Sequence, residues 1–221
     1  MATSRRRSAS TTEILGARDR VILSRADAVV GVDEVGRGSL AGPVVVCAAK
    51  FDRIPTSPRV RDSKRLTAKQ RLETALWIRD NCVSWVVIEV WQELIDRINI
   101  LEATRLAMRA GVSALARPGT EVVVDYLELG DLGLPIHSFK RADDSFFSVA
   151  AASILAKVHR DGIMIELGAR DDRWDWSRNK GYGTLNHRRG IGRYGRSYLH
   201  RQSFSVSPVL PLMPRTTGGW G

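Results

Sequence analysis

Asp33 and Glu34 stand side by side in the run from Gly31 to Val46, where two acids end an apolar stretch, Gly36-Arg37-Gly38 bends the chain, and a second apolar stretch begins. Adjacent carboxylates beside a glycine-rich bend can hold hard cations. Backbone amides laid open by Gly36 and Gly38, with the Arg37 guanidinium among them, can hold phosphate. The two together suggest chemistry on a phosphodiester. Two further acids end apolar segments: Asp125 closes Val122-Val123-Val124, and Asp143 stands just ahead of an alanine-rich stretch. Four carboxylates packed together repel, and some take up protons unless cations neutralise them. Oxygen-only ligands favour Mg²⁺ or Mn²⁺ over zinc, and no Cys/His cluster with zinc spacing competes. Any one of these acids alone is more simply explained as a helix cap or surface partner, and Asp144, next to Asp143, illustrates that.

The elements that must bring these acids together can be read from periodicity. Thr12–Arg25 reads as a short helix, Ala28–Val32 as a buried strand and Gly42–Ala49 as its hairpin partner. In an ideal strand Asp33 and Glu34 point to opposite faces, so a shared site requires the strand to end or bulge there. Phe51–Arg65 reads as a loop. Thr67 with Gln70 forms a capping box for a helix ending near Asn81. Ser84–Val90 is a strand, and Gln92–Leu115 has helical spacing with a break near Arg97. Glu121–Asp125 and Pro135–Phe139 are short strands, and Ser145–Leu167 is a helix. Ala169–Lys180 is an Arg/Trp-rich loop, and a last helix begins near Thr184. This order implies an α/β fold with a mixed sheet flanked by helices. Residues 1–12 are expected to be a disordered arm, 13–206 one domain and 207–221 a loose tail.

The chain has 221 residues, 43% of them hydrophobic, which suffices for one buried core. No apolar run approaches the roughly 20 residues that span a membrane. Cys47 and Cys82 lie among apolar neighbours and read as reduced, small buried side chains. The formal charge is +10, from 34 basic and 24 acidic residues, and from Arg173 to Arg201 eight Lys or Arg stand against one acid. Such a surface favours polyanions.

The motifs taken in order resemble those of type 2 ribonuclease H (ribonuclease HII). Gly31–Gly38 with Leu40–Pro43 is similar to that family's signature. So are Asp62-Ser63-Lys64 with Leu66, Ile98–Thr104 with Ala107-Met108, Ala150–Val158 with Arg160-Asp161, and Lys180–Thr184 with His187, followed by His200-Arg201 and Ser203-Phe204. The resemblance spans roughly residues 28 to 206. It implies a ribonuclease H-like fold with a C-terminal helical extension. It makes Asp33, Glu34, Asp125 and Asp143 the catalytic, metal-binding carboxylates for two divalent ions, Mg²⁺ or Mn²⁺. It makes Gly36-Arg37-Gly38 the loop that reads the RNA–DNA junction and Tyr182 the residue that stacks on the neighbouring deoxyribose. Lys64 would contact a phosphate, and Ser153 and Lys157 would lie close to the nucleic acid. The chain departs from the family where Tyr126-Leu127 follow Asp125 in place of Gly-Asn, where Arg141-Ala142 precede Asp143, and where Ser39 stands at a position commonly proline.

The resemblance further implies an endonuclease that hydrolyses the RNA strand of RNA–DNA hybrids and cuts 5′ of single ribonucleotides embedded in duplex DNA. It would leave 5′-phosphate and 3′-hydroxyl ends and serve ribonucleotide removal and genome maintenance. Its partners would be hybrids and ribonucleotide-containing DNA duplexes, and it would act as a cytoplasmic monomer without a membrane. Only the 2′-hydroxyl separates the two sugars, so recognition must rest on it. Trp174 and Trp176, in the basic loop, are the exceptions among tryptophans otherwise expected to pack, and could stack on bases. His187 could reach phosphate or cap a helix. Two rivals remain: a basic nucleic-acid-binding protein whose acids are structural, and a nuclease of the same fold acting on plain DNA.

Overall fold

The computed structural model describes residues 15–56, 60 and 66–207. Lys64 and most of the Asp62–Leu66 motif lie outside the described residues, as do the arm before residue 15 and the tail after 207.

Valine- and alanine-rich runs make the two central strands, β1 (Ala28–Val35) and β2 (Val44–Phe51), buried along almost their whole length. They pair antiparallel, and β3 (Ser84–Val90) extends β2 antiparallel. On the other side β1 pairs parallel with β4 (Thr120–Asp125), and β4 parallel with β5 (Ile136–Phe139). The order is β3-β2-β1-β4-β5, the mixed sheet expected from the sequence. Helices cover both faces, as strands buried on both sides require. Among the described residues these are α1 (Ala17–Leu23), α2 (Ala68–Asn81), α3 (Gln92–Ile98), α4 (Ile100–Leu115), α5 (Phe147–Arg170), α6 (Trp176–Asn179) and α7 (Leu185–Tyr194).

One face of the sheet, with Val29, Val45, Cys47 and Phe51, packs under Phe147, Ala150, Ala151 and Ile154 of α5 and under α2. The other, with Val30, Val32, Val44 and Val46, packs under Ala107, Met108 and Val112 of α4. The small residues of α5 allow close approach. A Cβ on Gly31 would lie 2.1 Å from the Ser148 carbonyl carbon, so glycine is required where α5 crosses β1. Phe147 meets Phe51 edge to face at 5.4 Å, and truncating it to alanine would cost about 3–5 kcal/mol.

The capping box of α2 forms as expected, with Gln70 N donating to Thr67 Oγ1 at 3.2 Å and Thr67 N to Gln70 Oε1 at 3.0 Å. The α3–α4 break falls at Asn99, two residues beyond the expected place, where a φ of 67° interrupts the helix and the side chain caps α4. Asp144 does not cap α5; it pairs with Arg141 at 2.5 Å. The amides of Phe147 and Ser148 are met instead by Asp19 of α1, at 2.7 and 3.2 Å. Burial raises the Asp19 pKa, and these donors oppose the rise.

Three sequence expectations are corrected. The stretch read as a loop over Ala169–Lys180 continues α5 to Arg170 and contains α6. Trp174 and Trp176 are 2% and 1% exposed and stack on each other at 4.9 Å, so they pack the C-terminal extension and are closed to bases. His187 neither caps a helix nor faces solvent. Thr184 caps α7, and His187 is buried against Trp176 and His200. Cys47 is buried and Cys82 partly so, both as free thiols.

Candidate active site

β1 does not end or bulge at Asp33. It runs on to Val35, with Asp33 opposite Cys47 and Glu34 opposite Val46 on the β2 side. The departure lies on the other side, where the parallel pairing with β4 stops at Val32–Val124. Beyond that point β1 and β4 are no longer paired, and Tyr126, just past β4, has a φ of 66°. Asp33 and Asp125 are the next residues of the two strands and share the face covered by α5. Glu34 points to the opposite face, but the parted strands leave both faces open to one cleft. Regular alternation and a common site are thus compatible at a fork between parallel strands.

Asp143 reaches the fork on a short 3₁₀ turn, Ala142–Asp144, and the Ala142 amide docks on Asp125 Oδ1 at 2.9 Å. All four acids line one open cleft of about 510 Å³, together with Gly36, Arg37, Gly38, Ser153, Lys157 and Tyr182. The carboxylates, the Gly36–Gly38 loop, Ser153, Lys157 and Tyr182 expected at the site are therefore gathered here; Lys64 lies outside the described residues. Val35 and Arg71 complete the lining. Arg71 was not anticipated, and nothing in the local sequence separates it from Lys69 nearby. It donates to the Leu66 carbonyl at 2.9 Å and lies 3.7 Å from Asp161, which also holds Lys157 at 2.7 Å.

The electrostatics are those of an anion cluster kept short of counter-charge. Burial pushes the Asp33 carboxyl well above the usual range, and the charges of Glu34 and Asp125 push it further. The Ser153 hydroxyl and the Glu34 amide, the latter at 2.8 Å, work against this. Burial also raises Glu34, against the Arg37 guanidinium at 3.4 Å. Glu34 Oε2 is buried without a hydrogen-bond donor. Among the described residues no three Asp, Glu, His or Cys side chains are drawn together tightly enough to enclose an ion by themselves. The donor set nevertheless fits hard divalent cations whose shells are completed by water and substrate oxygens. An orphaned carboxylate oxygen amid mutually repelling acids is what such an ion would satisfy.

The loop and Tyr182 form the cleft's other wall. Gly36 has a φ of 92°, and a Cβ there would meet Arg160 Nε at 2.1 Å. Gly38 differs: nothing lies within 4 Å of its Cβ position, which is open for a ligand to approach the backbone. The Tyr182 carbonyl accepts from His187 Nδ1 at 3.0 Å. With that nitrogen protonated, His187 Nε2 accepts from Trp176 Nε1 at 3.2 Å and from His200 Nε2 at 3.1 Å. Burial lowers both histidine pKa values, so the pair is neutral, and His200 is held at about 4.

The fold is similar to that of the ribonuclease H2 of Pyrococcus horikoshii. That structure covers 80% of this chain and 93% of its own, with a TM-score of 0.66 at 24% identity. Bst-RNase HIII in complex with Mn²⁺ superposes with a TM-score of 0.50 at 22% identity, covering 89% of this chain and 77% of its own. In sequence, the family model described as Ribonuclease HII matches residues 30–207. The Ribonuclease HII of Chlorobaculum tepidum is 44% identical over 183 residues, 80% of this chain and 89% of that protein. The chain belongs to the ribonuclease HII family, and is a ribonuclease H-type hydrolase.

Proposed function

We propose that the protein is an endonuclease that cleaves the RNA strand of RNA–DNA hybrids and cuts 5′ of single ribonucleotides in duplex DNA, leaving 5′-phosphate and 3′-hydroxyl ends. Asp33, Glu34, Asp125 and Asp143 would hold two divalent ions, Mg²⁺ or Mn²⁺. The observation that carries this reading is the fork: acids distant in sequence share one cleft in which Glu34 keeps an unmet oxygen. When bound, paired ions would lower the pKa of the attacking water and offset charge on the leaving oxygen.

The chain's own residues supply the rest. Ser153 fixes one oxygen of Asp33, and the Ala142 amide fixes one of Asp125, so each carboxylate enters the reaction already oriented. Lys157 and Arg71, steadied by Asp161, face the cleft as cations for the phosphates flanking the cut. Lys64 would add a phosphate contact. The Arg37 and Gly38 amides would hydrogen-bond the ribose 2′-hydroxyl, and the open space at Gly38 lets the sugar come close. A site built around a hydroxyl rejects the analogue lacking it by about 10⁴–10⁵. Tyr182 would lie against the next deoxyribose. Among the described residues no helix is long and apolar enough to cross a membrane. Action as a cytoplasmic monomer is part of the proposal.

The test is an end-labelled duplex with one internal ribonucleotide, run beside a continuous hybrid and an all-deoxy duplex with Mg²⁺, Mn²⁺ or chelator. Metal-dependent cleavage of the first two, with the single cut 5′ of the ribonucleotide, is expected. Binding without cleavage under either ion would leave only a nucleic-acid-binding protein. Comparable cutting of the all-deoxy duplex would make it a DNA nuclease.

A further inference from the structure

Behind the Gly36–Gly38 loop lie two arginines to which the reaction above gives no task. Arg160, from the middle of α5, and Arg201, from the segment after α7, are both 0% exposed. Among the described hydrogen bonds neither donates to a carboxylate. Arg160 Nε donates to the Pro43 carbonyl at 2.8 Å, Nη1 to that of Lys180 at 2.8 Å, and Nη2 to Ser39 Oγ at 2.8 Å and the Ala41 carbonyl at 3.2 Å. Arg201 Nε donates to the Gly42 carbonyl at 3.2 Å, Nη1 to that of Arg37 at 2.7 Å, and Nη2 to those of Gly36 and Gly42 at 2.8 and 3.0 Å. Two buried like charges without a bonded counter-ion are an expensive way to fill space, since apolar side chains would pack there at lower cost. A planar fork with five fixed donors is, however, well suited to holding several carbonyls at set angles.

What those angles achieve follows from peptide geometry. In a trans peptide the carbonyl of one residue and the amide of the next point opposite ways. Drawing the Gly36 and Arg37 carbonyls inward onto Arg201 therefore turns the Arg37 and Gly38 amides outward, to the cleft. The same network reaches the Tyr182 turn. Arg160 holds the Lys180 carbonyl and lies 5.4 Å from the centre of the Tyr182 ring. The Leu40 amide donates to the Gly181 carbonyl at 2.8 Å. Loop and turn are pressed together so closely that a Cβ on Gly181 would lie 2.4 Å from the Ala41 carbonyl oxygen.

We propose that Arg160 and Arg201 are positioning residues that lock the Gly36–Gly38 loop and the Tyr182 turn into one rigid gauge. The gauge fixes the separation between the amides that read a ribose and the ring that lies on the following deoxyribose. It rests on the reading of loop and tyrosine given under the proposed function. A single embedded ribonucleotide offers one register and must satisfy both contacts at once. A continuous hybrid offers a ribose in every register, so a loosened gauge harms it less. Ser39, at a position commonly proline in the family, supplies one of Arg160's acceptors and so belongs to the gauge in this chain.

The experiment is a double-variant cycle with steady-state kinetics on the single-ribonucleotide duplex and on a continuous hybrid, with thermal melts of every variant. Arg160→Lys keeps the charge and loses the fork. It is expected to lower kcat/KM on the single-ribonucleotide duplex by about 30-fold and on the hybrid by about threefold. Tyr182→Ala should cost about tenfold on the first substrate in the native background but less than about twofold in the Arg160→Lys background. Ser39→Ala removes one acceptor and should shift the ratio of the two substrates about threefold in the same direction, with the melting midpoint lowered by only about 2–8 °C. Equal losses on the two substrates, or losses that multiply in the double variant, would overturn the gauge while leaving the nuclease reading intact. If Arg160→Lys does not fold, Ser39→Ala decides, and an unshifted substrate ratio sinks the proposal. Absence of any cleavage by the native chain would instead sink the reading of the site, and the gauge with it.

Discussion

On one side of the Gly36–Gly38 loop Asp33 is buried, Glu34 is partly buried, and one Glu34 oxygen has no donor. On the other side Arg160 and Arg201 are buried at least as deeply, yet each makes four hydrogen bonds. The fold leaves a carboxylate oxygen unmet on one side of the loop and satisfies the buried guanidinium groups on the other. A buried polar group without a partner costs about 1–3 kcal/mol, a cost that a bound cation would relieve. A satisfied network does the opposite work and stiffens the backbone it touches.

The contrast can be broken most severely at Asp33. Asp33→Asn is expected to lower the cleavage rate by about 10³-fold or more, while the metal-free protein keeps or gains thermal stability. The sign follows from its raised pKa: protonation favours the folded state, so at neutral pH the charge works against folding. Activity assays and melts in chelator check both halves, and an active variant would remove Asp33 from the site. Arg201→Ala should act in reverse, unfolding the protein more easily by about 3 kcal/mol because its carbonyls lose their donors together. Urea titration reads this, and a loss under about 1 kcal/mol would mean the network is dispensable to the fold.

His200 sharpens the closed side further. It is neutral in the fold, with its pKa held at about 4 against 6.5 when unfolded, so its stabilising contribution is complete above pH 6.5 and is lost as the pH falls toward 4. The expected slope in that window approaches about 1.4 kcal/mol per pH unit. Urea midpoints of the native chain and of His200→Asn across pH 4–7 measure it, and parallel curves would contradict the assignment. Tyr182→Ala, at the boundary between the two sides, should cost about tenfold on a single ribonucleotide and distinctly less on a long hybrid. The smallest effect is expected at the fork. Tyr126 holds a φ of 66°, which a glycine adopts freely, and Tyr126→Gly should stabilise by about 1 kcal/mol or less. A destabilised Tyr126→Gly would show that the ring makes contacts worth more than the strain.

The open side was far more legible in the sequence than the closed one. Each acid ends an apolar run, and an acid at a strand end is a strong local signal. The fork itself was not visible, because it depends on where β4 stops pairing with β1, and periodicity carries no register between strands. For that reason a bulge was expected where the strand runs on regularly. The family's glycine after the third carboxylate did carry a clue, since Tyr126 occupies a backbone conformation that suits glycine. Trp174, Trp176 and His187 misled for a related reason. Basic neighbours made them look like ligands for nucleic acid, while the contacts that bury them come from His200 and α7, distant in the chain or around a turn. Arg160 and Arg201 lay inside recognised motifs, yet nothing local distinguishes an arginine facing three carbonyls from one facing solvent.

Asp19 gives the N-terminal helix an importance that its seven residues do not advertise. Its carboxylate finishes the beginning of α5, the same helix that carries Ser153 and Lys157 a few turns further on. A protein shortened to start at the first strand would keep every residue of the cleft, yet strip the cap from the rod on which Ser153 and Lys157 are mounted. Trimming a leader from such an enzyme is therefore an intervention at its centre.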